Sequence, residues 1–93
     1  MEKKMVYVVE SIADWHNTDR ETQINVFEDF NSAYDFVLKD VKATIKGLTR
    51  KKRNGYQYCS EIEVEKYTDN GAYIMTDRED YIEWGIHCAK VNN

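Results

Sequence analysis

Hydrophobic and polar positions change their period along this chain, and each change marks an element. Met5-Val6-Tyr7-Val8-Val9 is β-branched and aromatic on both parities. That pattern predicts a strand over 5–12, covered on both sides or central in its sheet. Residues 13–21 are polar and predict a loop. Thr22, Ile24 and Val26 then alternate with Gln23 and Asn25, which predicts a second strand over 22–27 and a hairpin with a long connection. From Ser32 the period lengthens. Tyr34, Val37, Leu38, Val41, Ile45 and Leu48 fall on one stripe at spacings of three and four, that of a helix over 32–46 with its end fraying on toward Arg50. Asn31 or Ser32 offers a cap, with Asp35 three residues after Ser32. Lys42 and Lys46 suit the negative end of the helix dipole, and Gly47 is a natural terminator.

Period two returns after a basic connection, Thr49 to Gly55. Over 56–67, Tyr58, Ile62 and Val64 take one face of a predicted strand, and Cys59, Glu61, Glu63 and Glu65 take the other. Thr68-Asp69-Asn70-Gly71 is the strongest turn signal, because Asn-Gly tolerates positive φ. A short strand over 72–76 follows, then a turn at Asp77-Arg78-Glu79-Asp80. The last strand, 81–91, sets Ile82, Trp84, Ile86 and Cys88 on an apolar side with His87 opposite. The order β-β-α-β-β-β predicts an α+β fold of two layers. An antiparallel sheet of four to five strands carries one helix packed on one face. At 93 residues the chain is one domain, 1–93.

Charge changes this picture more than composition does. The net charge is −4, yet residues 39–53 hold seven basic groups against one acid, and the rest holds six basic against sixteen acidic residues. A basic pole thus sits on an acidic body. Cys59 and Cys88 fit no zinc spacing and read as reduced thiols. The apolar run Met5–Val9 is too short for a signal sequence or a membrane span. The expectation is a cytoplasmic protein with no membrane contact, no metal and no cofactor.

Three stretches carry candidate chemistry. Trp15, His16 and Arg20 in the first loop have the residue types that anchor protein interfaces. A metal reading of Asp14, His16 and Asp19 has one imidazole and no fixed scaffold. Glu61, Glu63 and Glu65 repeat every about 6.8 Å along one strand face. Such a row is a solvated surface or a phosphate-like docking site for a basic protein. It could also receive the basic pole of a second copy, giving a homodimer. Lys42, Lys46, Arg50, Lys51, Lys52 and Arg53, interleaved with Tyr56 and Tyr58, combine phosphate-binding cations with stacking rings. That mixture supports an alternative reading as a nucleic-acid-binding domain, against which the acidic remainder argues.

No oriented nucleophile–base pair and no Gly-rich phosphate loop is present, so enzymatic activity is not expected. The expectation is a non-catalytic protein-interaction module with a protein partner. One form of it is a bacterial or phage accessory protein, acting as an acidic inhibitor of a nucleic-acid-handling protein.

Overall fold

The structure, a computed structural model, describes residues 3–15, 20–49 and 61–92. β1 (Lys3–Asp14) and β2 (Glu21–Phe27) form the expected antiparallel hairpin. β1 runs further than its apolar core suggested, through Ala13 and Asp14, because twelve successive residues pair with the last strand. The helix α1 (Phe30–Thr49) follows. β3 (Ile62–Thr68), β4 (Gly71–Thr76) and β5 (Tyr81–Asn92) complete the chain. The predicted start of the third strand, 56–60, lies outside the described residues.

All ladders are antiparallel and the sheet order is β2-β1-β5-β4-β3. The N- and C-terminal strands are thus neighbours, and the segment from β2 to β3 carries the chain from one sheet edge to the other. α1 packs on one face only. Ala33, Val37 and Val41, four residues apart on the helix, meet Val9, Ala72, Ile74, Ile82, Trp84 and Ile86. Val9, Val37, Val41 and Ile74 are fully buried, each contributing roughly 1.5–3 kcal/mol of apolar burial. Phe36, absent from the periodic stripe, packs on Phe27 with ring centroids 5.2 Å apart.

The ends of α1 differ from the sequence expectation. Asp29 is the cap: its Oδ1 accepts the Ser32 N–H at 2.7 Å, and its Oδ2 accepts the Ser32 hydroxyl at 3.0 Å. The helix therefore starts before Asn31 and Ser32, with Phe30 held in its first turn by ring contacts to Tyr7 and Tyr34. Gly47 does not end the helix. Leu48 packs against the core, and the Thr49 hydroxyl donates to the Ile45 carbonyl at 2.8 Å.

The β3–β4 turn places Asp69 and Asn70 at its tip, with Thr68 opposite Gly71. Gly71 is needed for close approach: a Cβ there would lie 2.0 Å from the Trp84 carbonyl oxygen. The β4–β5 turn is fastened by Thr76, whose hydroxyl donates to Asp80 and accepts the Arg78 and Asp80 N–H groups, all at 3.2 Å. Glu79 in this turn has φ 67°. No helix among the described residues is long and apolar enough to cross a membrane.

Candidate binding surfaces

The sheet face away from α1 is covered by no described element. Cross-strand partners point to the same side, so the register defines its rows. One row is Asp14, Tyr81, Met75 and Val64; the next is Thr22, Ile12, Glu83, Tyr73 and Lys66. Ile24, Glu10, Gly85 and Gly71 form a third, and Val26, Val8 and His87 a fourth. Ile24 is 63% and Val26 60% exposed, and Met75 and Val91 are exposed as well. Val6, Val8, Ile12, Tyr73 and Tyr81 are half-buried. The rings of Tyr73 and Tyr81 lie 6.1 Å apart. The Tyr81 hydroxyl donates to Glu83 Oε2 at 3.1 Å. Burial raises the Tyr81 pKa first, and Glu83, through that hydrogen bond and its charge, raises it further. The face is thus apolar and aromatic, with Glu10, Glu83, Lys66 and His87 set among its side chains.

This surface inverts the expected polarity. The glutamate row does not exist as one face, because β3 carries a register shift between Ile62 and Val64. Ile62 lies opposite Thr76, on the helix side, while Val64 lies opposite Met75, on the open side. Glu65 falls opposite Ile74 and so returns to the helix side. There it accepts the Tyr67 hydroxyl at 2.6 Å. That bond, then burial and the Glu65 charge, push the Tyr67 pKa up to about 12. Glu63 sits at the irregularity. Glu61 precedes the strand, where its backbone exchanges hydrogen bonds with Asp77. All three side chains are exposed, and no described lysine or arginine pairs with them.

The other predicted residues are scattered. Trp15 is half-buried and packs on the core. It lines a recess of about 170 Å³ with Ser11, Gln23, Asp40, Thr44 and Trp84. Asp40 Oδ2 accepts the Trp84 indole N–H at 2.8 Å. This recess is smaller than the roughly 300–1,000 Å³ of small-molecule sites, so it suits one side chain at most. Arg20 is exposed beside Asp14, 3.7 Å from its carboxylate. Lys42 and Lys46 are exposed on α1. His16, Asp19, Arg50, Lys51, Lys52, Arg53, Tyr56, Tyr58 and Cys59 lie outside the described residues. Cys88 is exposed although it shares the parity of Ile82, Trp84 and Ile86. His87 stands on the open face, as its position opposite Trp84 required. The described histidine and cysteine thus point to opposite sides of β5.

The open face was within reach of the sequence. Val6 and Val8 in β1 and Ile24 and Val26 in β2 are apolar at even positions, on strands whose odd positions also contribute to the core. Comparison with protein families, with curated proteins and with solved structures finds no match to this chain.

Proposed function

We propose that this chain is a non-catalytic protein-interaction module that docks a partner protein on the open face of its sheet. The observation that carries this reading is the set of apolar side chains there, with Ile24 63% and Val26 60% exposed and Val8, Ile12, Tyr73 and Met75 beside them. A contiguous apolar patch rimmed by polar groups marks an interaction surface. Glu10 and Glu83 within the patch select a partner that surrounds an apolar centre with cationic side chains. A bacterial or phage accessory protein inhibiting a nucleic-acid-handling protein is the form of this reading that best uses the acidic body, since such targets carry basic channels.

The test is quantitative affinity capture with the wild-type chain and a Val8→Lys/Met75→Lys variant. The two added lysines leave the helix-side core intact and repel a basic-rimmed partner. The expected result is one protein retained by the wild type and lost from a variant of unchanged circular dichroism. Equal capture by both chains sinks the proposal. The exposed Lys42 and Lys46 on α1 favour the nucleic-acid reading as the second one. Fluorescence anisotropy with single-stranded and duplex oligonucleotides at low salt tests it, and no binding there, where phosphate attraction is strongest, removes it.

A further inference from the structure

We propose that two copies of this chain join through β2, pairing antiparallel about a two-fold axis at Ile24 to make one continuous ten-stranded sheet.

The two edges of the sheet are not alike. β3 has the protections of a guarded edge: a register shift between Ile62 and Val64, and the exposed charges Glu63, Glu65 and Lys66. β2 has one of these at most, the exposed charge of Glu21 at its first residue. From Thr22 to Phe27 it holds no charge, no proline and no bulge, and among the described residues nothing pairs with its outer side. An unguarded edge of this kind is a template for another strand.

The residues around β2 specify which strand. Arg20 precedes the neutral segment and Glu28 follows it. Both are exposed, Glu28 81% and Arg20 64% by side chain, and each already has an intrachain partner, Lys4 at 3.1 Å and Asp14 at 3.7 Å, which pairing across the seam would extend or replace. Antiparallel pairing centred on Ile24 sets Ile24 against Ile24 and Thr22 against Val26 on the open side. It also sets Arg20 of each copy opposite Glu28 of the other, so the seam ends in two opposite-charge pairs. On the helix side Gln23 meets Asn25, two amides that can exchange hydrogen bonds. Centring on Asn25 instead would set Glu21 against Asp29, acid on acid. Centring on Gln23 would set Arg20 against Val26 and leave the charge unused. A second copy is therefore the occupant that this edge's own charges fit. The edge pairing leaves the open face free, so a strictly monomeric chain would overturn it without touching the docking proposal above.

A seam of seven residues is small, and the expected dimer is weak, with Kd on the order of 10–100 µM. Sedimentation equilibrium of the full chain across that range reads it directly. Arg20→Glu and Glu28→Arg, each alone, bring like charges together and should weaken the dimer about tenfold or more. The Arg20→Glu/Glu28→Arg double variant restores opposite pairs and should return to within about threefold of wild type. Ile24→Lys should leave a folded monomer, checked by circular dichroism. The proposal is overturned by a wild-type chain that remains monomeric up to about 1 mM. A double charge swap that fails to restore the dimer overturns it too. So does a dimer indifferent to all four variants, which would use another surface.

Discussion

Adding one methyl group at Gly71 should remove a large part of this domain's stability, although Gly71 sits next to a surface turn. The Cβ of an alanine there would stand 2.0 Å from the Trp84 carbonyl oxygen, 3.0 Å from its carbon and 3.3 Å from the Gly85 Cα. Ordinary contact begins at 3.4 Å, so the strands must part by about 1.4 Å. Every atom in the way is backbone, and no rotamer change relieves the clash. The displaced residue, Trp84, is buried, and its indole is tied to Asp40. The cost therefore lies at the top of the overpacking range, about 3 kcal/mol. A domain of this length has about 5–14 kcal/mol in total. The melting temperature should fall by roughly 12–24 °C, and the urea midpoint by about 1–3 M. Trp15 and Trp84 both contact the core, so tryptophan fluorescence reports the transition. Gly47→Ala is the control of opposite sign. It lies inside α1 with nothing within 4 Å of the new Cβ, and should stabilise by about 0.5–1 kcal/mol. A Gly71→Ala chain that loses less than about 1 kcal/mol, or two substitutions of the same sign, would refute the close-approach reasoning.

Three further outcomes follow from single contacts. Asp40→Ala strands the Trp84 indole N–H and should cost about 1–3 kcal/mol in urea unfolding, while Asp40→Asn keeps an acceptor and should cost less. Glu79→Gly relieves a residue held at φ 67° and should gain about 0.5–1 kcal/mol, read as a raised urea midpoint. Tyr67 should ionise at about 12 instead of the usual 10.0 in a spectrophotometric titration, and Glu65→Gln should bring it down. The folded chain holds this proton more tightly than the unfolded one. Its stabilisation is thus complete below pH 10 and lost as pH rises toward about 12.

The elements themselves were legible because period carries them. Val37 and Val41 lie on the stripe that named the helix, and Ile82, Trp84 and Ile86 on the alternation that named β5. The helix ends were less legible, since capping is decided by tertiary contacts. Phe30 meets the Tyr7 ring of β1 edge-on, which lets Asp29 take the cap that local spacing offered to Asn31 or Ser32. Leu48 likewise draws the helix past Gly47, where sequence alone prefers to stop it. Gly71 was read as part of the turn and for its tolerance of positive φ, whereas it opens β4 beside that turn and the demand on it is steric.

The expectation that the three glutamates share one face fails at one irregularity. A period-two argument assumes an unbroken ladder, and the register shift between Ile62 and Val64 breaks it with no mark in the sequence. Before the break Ile62 faces the helix; after it Val64 faces away and Glu65 takes the inner side. The acidic row therefore disperses, with Glu65 on the helix side, Glu63 at the irregularity and Glu61 before the strand. The same event adds one apolar residue to the outer face. Val64 joins Met75 and Tyr81 on a surface that the sequence had assigned to carboxylates. The charge of the body remains, but it frames a greasy patch and does not itself make the surface. On the docking reading proposed above, a partner must bring apolar area as well as cations, so salt alone should weaken its binding without abolishing it. Complete release by salt would mean that the patch contributes nothing, and that charge alone holds the complex.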